Sequence, residues 1–290
     1  MSVNLDLTKV ASATNGLLYG KYMLQEAWFK TIPFEVGKIG TYQFYRYDVD
    51  SSLKACCADG DTPTTITPLN TPVLCWEKSV SLCKAQLNAI DQSVLMSAGD
   101  TGMGKNRVTI LDQIVNSFKE SITDIAFNGS TTPAFEGFID QATAQAITAT
   151  DVYDAVVQAV MAMPSNSMGK VVVFISRKNY NTFQLNTIQR NLYHFNPGAT
   201  NIAGEELTVM GLSNVSLIPV EATFPENMLL VTPLANMLHI GSAVDDEENV
   251  DFKNYRGNNY ELTISCLLGC AYYLPEYAIA GTFTLGSASA

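Results

Sequence analysis

The clearest periodicity in the chain lies in residues 106–128, where Val108, Leu111, Val115, Phe118, Ile122 and Ile125 recur at spacings of 3, 4, 3, 4 and 3. That spacing lines apolar side chains along one stripe of an α-helix. It predicts a helix about 33 Å long at 1.5 Å per residue. Gly129 stands where a helix ends, since a residue without Cβ enters the left-handed region at no steric cost. Residues 14–30 carry a shorter amphipathic pattern that stops before Pro33.

Two segments between these helices alternate with period two. Lys38–Val49 is aromatic and partly alternating, and residues 73–87 place Trp76, Val80 and Leu82 on one face and Ser79, Ser81 and Cys83 on the other. Both predict strands. Ser51–Pro72, between them, is rich in Ser, Thr, Asp and Pro and nearly free of large apolar residues. The pattern predicts a long two-stranded arm with a polar tip, which needs a surface to lie against because an isolated hairpin is marginal in water.

Beyond Gly129 comes the turn-rich STTPAFEGF, then a helix in 151–163 that Thr150 or Asp151 can cap and Pro164 stops. Lys170–Ile175 reads as a buried strand, followed by a helical segment from Ser176 to Asn186. Short strands are predicted at 206–210, 215–220, 227–232, 236–240 and 249–252, and a long one at 259–273. Helices and strands mix without a regular βαβ alternation, so the fold class is α+β.

Charge narrows the function classes. Lys+Arg total 17 against 28 Asp+Glu, a formal net charge of −11, and charged residues are only 16% of the chain. Soluble domains usually carry about 25%, so a charge-poor surface suited to covering by partner subunits is expected. No Lys or Arg occurs in residues 191–252, while Glu205, Glu206, Glu221, Glu226, Asp245, Asp246, Glu247, Glu248 and Asp251 lie there. A duplex-gripping face neutralises phosphates with cations, and this stretch would repel them. The start of the chain lacks a basic region followed by an apolar one, and the apolar run Ile264–Leu274 is far short of the roughly 20 residues of a bilayer span. A soluble protein of a cytoplasm-like compartment is expected.

Candidate chemistry is thin. Gly99–Lys105 satisfies the spacing of a phosphate-binding loop, but Asn106 stands where a Ser or Thr must hold magnesium, so a glycine hinge into the long helix is the better reading. Three S-x-x-K matches, at Ser51, Ser81 and Ser167, lack the partner motifs of a serine acyl-enzyme. His194 and His239 read as packed or hydrogen-bonded histidines, and Asp245–Glu248 as a solvated loop without a calcium-loop frame. Cys56, Cys57, Cys75, Cys83, Cys266 and Cys270 are expected as thiols. Cys266 and Cys270 are about 13 Å apart along one strand, beyond disulfide reach. No catalytic, cofactor or metal site is expected. The aromatic run Tyr42, Phe44, Tyr45 and Tyr47 lacks interleaved basic residues and points to packing against a neighbour rather than to base stacking.

The order of elements resembles the Hong Kong 97-type major capsid protein of tailed bacteriophages, over nearly the whole chain. Residue likeness is best from Gly129 onward: Asn128-Gly129 with Pro133 and Gly137 resembles the turn after the family's spine helix. LLVTPLANMLHIG (229–241) and NYRGNNYELTISCLLGCAYYLPEYAI (254–279) resemble the closing strand pair. The resemblance implies an N-terminal arm in 1–33, an extended loop in 34–88, and a peripheral domain in 89–149 with its spine helix at 106–128. It further implies an axial domain in 150–241 and return strands of the peripheral domain with the C-terminus in 242–290. Phe44, Tyr45, Tyr47 and Trp76 become candidates for inter-subunit contact, with Trp76 and Phe44 as anchors of the arm.

The implied function is a non-enzymatic structural one. Copies of the chain form hexamers and pentamers of an icosahedral or prolate shell, assembled in the host bacterial cytoplasm, that encloses double-stranded DNA in the virion without sequence-specific binding. Only about 33 residues precede the arm, so scaffolding is expected from a separate protein, or from a segment removed before this numbering begins. Portal and decoration proteins are further expected partners, with no cofactor and no membrane. Lys38, Lys54 and Lys78 lie in the arm, but no acceptor for a cross-link is identified. An encapsulin-type nanocompartment, loaded with protein cargo instead of DNA, is the alternative on the same fold; a soluble α+β enzyme is the alternative of another class.

Overall fold

The computed structural model describes residues 27–49, 64–83, 110–164, 169–190, 207–208, 214–220, 223–241, 250–255 and 259–285. Two six-stranded sheets organise them. The first contains β1 (Phe34–Val36), β2 (Gly40–Val49), β3 (Thr64–Cys83), β11 (Met237–Gly241), β12 (Val250–Tyr255) and β13 (Asn259–Tyr272) in the order β1-β11-β13-β3-β2, with β12 also on β13. The second runs β6-β14-β10-β7-β9-β8, from β6 (Thr143–Ala149), β7 (Val171–Ser176), β8 (Leu207–Thr208), β9 (Val215–Val220), β10 (Met228–Pro233) and β14 (Ile279–Leu285). A two-stranded ribbon, β4 (Ser130–Thr131) with β5 (Ala134–Phe135), follows the long helix. The helices are α1 (Ala27–Thr31), α2 (Ile110–Asn128), α3 (Phe138–Gln141), α4 (Val152–Met161) and α5 (Arg177–Gln189).

Every residue of β7 and β9 is buried. The reason is that the second sheet is covered on both faces, which favours continuous apolar strands over alternating ones. Val171, Val173, Ile175, Leu217, Leu229 and Val231 pack against Val152, Ala155, Val156 and Ala159 of α4 and Tyr180 and Phe183 of α5. On the other face Val172, Phe174, Ile218, Val220 and Leu230 join a core built from α1, α2 and the first sheet. That core takes Val115, Phe118, Ile122, Ala126 and Phe127 from α2, and alternate residues Leu262, Ile264, Cys266, Leu268, Cys270 and Tyr272 from β13.

The helix ends follow local chemistry. Gly129 terminates α2 with φ 72°, its N–H donating to the Ile125 carbonyl at 3.0 Å. Asp151 caps α4 by accepting from the Asp154 N–H at 2.9 Å, and Ser176 caps α5 by accepting from the Asn179 N–H. The helices expected near 106–128, 151–163 and 176–186 are thus present over their described parts. Of the helical pattern of 14–30, residues 27–30 lie in α1, and positions 14–26 and 106–109 lie outside the described residues.

One expected feature is corrected. Thr64–Pro72, expected within a polar tip, is the first half of the 20-residue strand β3. It pairs with β2 from Gly40↔Val73 to Val49↔Thr64, while the second half pairs with β13 from Leu268↔Leu74 to Asn259↔Cys83. Among the described residues, the first half is laddered on one side only, by β2. An edge position tolerates Pro68 and Pro72, because a nitrogen without a proton can face solvent without costing a ladder bond. Strands β6 and β14, for which the alternation is weak, lie side by side in the second sheet as a parallel pair, Ile279↔Thr143 to Leu285↔Ala149. Conversely β11, within 150–241, belongs to the first sheet.

Candidate functional site

The paired part of the hairpin β2–β3, residues 40–49 with 64–73, supplies none of the buried residues of the two large cores. Ten paired residues extend it by about 33 Å. One face of its base is fastened to the same chain. Phe44, 8% exposed, meets Tyr273 edge-on with centroids 5.2 Å apart, in a small cluster with Val73, Leu238, Ile240 and Ala271. Arg46 pairs with Glu276 at 2.7 Å. The Thr71 hydroxyl donates to the Cys270 carbonyl at 2.9 Å. The Tyr42 hydroxyl donates to the Glu35 carboxylate. That bond, then burial, pushes the Tyr42 phenol up to about 12, because the carboxylate favours the protonated donor.

The other face of the hairpin is open. Tyr45 stands opposite Pro68 and Tyr47 opposite Ile66, so these positions share one side of the ribbon. Tyr45 is 47% exposed and Ile66 55%, with Gln43, Asn70, Thr41 and Pro72 exposed in the same register and no charged residue among them. An aromatic, charge-depleted face of this kind has the composition of an interface centre.

The four contact candidates therefore separate. Phe44 is packed within the chain. Trp76 is half-buried on the inner face of β3, edge-on to Phe135 with centroids 5.8 Å apart, and its indole Nε1 has no acceptor among the described residues. Tyr45 points outward. Tyr47 lies in the ladder beside it, and its side chain lies outside the described residues.

The second half of β3 is tied to α2 through Lys78. Its ammonium donates to Ser117 Oγ at 2.7 Å, to the Ser117 carbonyl at 3.2 Å and to Ser121 Oγ at 3.3 Å. Lys38 is exposed, and Lys54 lies outside the described residues. Cys266 and Cys270 are buried free thiols that burial pushes far up, while Cys75 and Cys83 are exposed. His239 is buried among aromatic rings. Gly99–Lys105, His194 and Asp245–Glu248 lie outside the described residues. Among the described residues no group of His, Cys, Asp and Glu could hold a metal ion, and no helix is long and apolar enough to cross a membrane.

The fastening of the hairpin base was not legible in the sequence. Arg46 and Glu276 are 230 positions apart, and Thr71 and Cys270 are 199 apart. Only the strand order β13-β3-β2 brings them together, and no local pattern signals it.

No family model matches the sequence, and no curated protein matches it. Comparison by structure does find similar folds. A virus-like particle from Pyrococcus furiosus superposes with a TM-score of 0.57 at 10% identity, covering 95% of this chain and 99% of that one. The satellite phage P4 procapsid structure, which includes a size determination protein, superposes at 0.54 with 11% identity, covering 96% and 99%. The holo-SrpI encapsulin complex from Synechococcus elongatus superposes at 0.53 with 11% identity, covering 88% and 86%. Near-complete coverage of both chains in the first two means that the whole architecture is shared, not one sheet of it. These structures share the chain's fold, and the chain carries the Hong Kong 97-type capsid fold.

Proposed function

We propose that the chain is the major capsid protein of a tailed phage, a structural subunit that assembles into hexamers and pentamers of an icosahedral or prolate shell around double-stranded DNA. The observation that carries this reading is the hairpin β2–β3, fastened at its base to its own chain and presenting an open, uncharged face with Tyr45 and Ile66. A ribbon of that length has no intrachain reason to expose an aromatic face, whereas a neighbouring subunit would cover it. In this reading the hairpin is the extended loop and α2 the spine helix of the peripheral domain. The second sheet with α4 and α5 is the axial domain at the capsomer centre. Tyr45 and Tyr47 are the inter-subunit contacts, with Phe44 packed on the opposite face at the hairpin's base and Trp76 packed on Phe135 further along β3. The Lys- and Arg-free stretch 191–252 suits a wall that encloses DNA without gripping it. Scaffolding, portal and decoration proteins would be separate partners, and assembly would take place in the host bacterial cytoplasm before the subunit becomes part of the virion.

The likeness to the SrpI encapsulin complex favours one second reading, a nanocompartment shell loaded with protein. Size-exclusion chromatography and negative-stain electron microscopy of the purified chain, alone and with a co-expressed scaffolding protein, test both. Rings, tubes or shells are expected. Small uniform shells co-purifying with a protein cargo favour the nanocompartment, and a chain that stays monomeric under both conditions overturns the shell reading.

A further inference from the structure

His239 is a buried titratable group for which shell building has no evident use. It lies on β11, 2% exposed, and its Nδ1 has no hydrogen-bond partner among the described residues. Three rings surround the imidazole: Trp28 at 5.5 Å, Phe29 at 5.0 Å and Phe34 at 5.4 Å between centroids. Two of them belong to α1. That short helix also packs on β9 of the second sheet, and Trp28 meets Phe127 of α2 at 5.6 Å. Helix α1 is thus a wedge touching both sheets and the long helix, held by aromatic contact around one imidazole.

We propose that α1 is an acid-releasable wedge: protonation of His239 drives α1 out from between the two sheets and loosens their packing. An imidazolium carries a proton on each ring nitrogen, and at Nδ1 the aromatic cage offers nothing to accept it. A buried charge without a partner is expensive, and the least costly escape moves the five-residue helix rather than a strand bonded on both sides. The charged and titratable groups on the packed elements give no compensation. Lys30 on α1 and Glu35 on β1 are exposed. On α2, which reaches the cluster through Phe127, Asp124 already accepts from Asn128 at 2.7 Å. On β13 the residue in register with His239 is Cys270, whose thiol burial keeps neutral. Strand β9 contributes Ile218 and Val220.

Burial holds the imidazole down at about 4, against an ordinary 6.5. Because the docked value lies below the free one, docking is at full strength above about pH 6.5 and weakens as pH falls toward and through 4. The gap corresponds to a roughly 300-fold weakening of docking at the acid end. The wedge does not depend on the shell reading, since its test reads a single chain.

The chain has 2 tryptophans, so Trp76→Phe, or Trp76→Tyr should the first not fold, leaves Trp28 as sole reporter. Acid titration of that variant is expected to raise acrylamide quenching of Trp28 and red-shift its emission, with a midpoint at about pH 4–5 and an unchanged far-UV spectrum. Adding His239→Phe, or His239→Gln if Phe does not fold, should abolish the transition. Continued protection of Trp28 down to about pH 3.5, an identical transition without His239, or loss of the far-UV signal together with the quenching change would each overturn the proposal.

Discussion

Exchanging Phe44 and Tyr45 for alanine, one at a time, separates folding from assembly, because neighbouring residues of a strand face opposite sides of the ribbon. Phe44 is 8% exposed and loses both its apolar burial and an edge-on contact with Tyr273. Buried Phe→Ala changes cost about 3–5 kcal/mol. The cluster around Phe44 is small and lies at the sheet rim, where partial collapse is feasible, so about 3 kcal/mol is expected. Tyr45 is 47% exposed, and its removal should change chain stability by no more than about 0.5 kcal/mol. If Tyr45 is an interface anchor, truncation costs about 2 kcal/mol at the contact, which raises the concentration needed for assembly about 30-fold. Urea unfolding followed by far-UV circular dichroism measures the first quantity; size-exclusion profiles across a concentration series, checked by electron microscopy, measure the second. Shells of Tyr45→Ala forming at the wild-type concentration would refute the assignment of the open face. A wild-type urea midpoint for Phe44→Ala would refute the packing argument.

Three further outcomes are expected. Gly129→Ala should destabilise by about 2–3 kcal/mol, read as a lowered thermal midpoint: φ is 72°, and an added Cβ would lie 2.6 Å from the Phe135 carbonyl oxygen. Asp151→Ala removes both the cap of α4 and one of the two carboxylates paired with Arg190, at 2.7 Å, leaving Asp154 at 2.9 Å, and should cost about 1–2 kcal/mol in urea unfolding; Asp154, held low first by its bond from Thr150, adds stability above its ordinary range that is lost as pH falls. Alkylation of the native chain followed by peptide mass spectrometry should label Cys83 and, more slowly, Cys75, whose thiol burial raises. The same experiment should leave Cys266 and Cys270 unmodified until the chain unfolds.

The long helix, its glycine stop, a cap for the 151–163 helix at Thr150 or Asp151 and the strands near 170–175, 215–220 and 259–273 are legible in the sequence because each rests on interactions a few residues apart. Helical stripes, capping hydroxyls and carboxylates, and period-two alternation all leave a mark within one window. The strand nature of Thr64–Pro72 is not legible, since its prolines and threonines are compatible with a strand only at an open edge, and whether an edge exists depends on which other strands arrive. The division of roles between Phe44 and Tyr45 is equally hidden: an aromatic run shows that some side chains must be covered, not whether the cover comes from Tyr273 of the same chain or from outside it. His239 makes the same point, because NMLHIG reads as an ordinary strand and only the arrival of α1 more than two hundred residues upstream turns its imidazole into a caged group. Local periodicity and chemistry determined the elements. Tertiary structure decided which faces are inside, because burial is a property of contacts between segments distant in the chain, and no short window contains both partners.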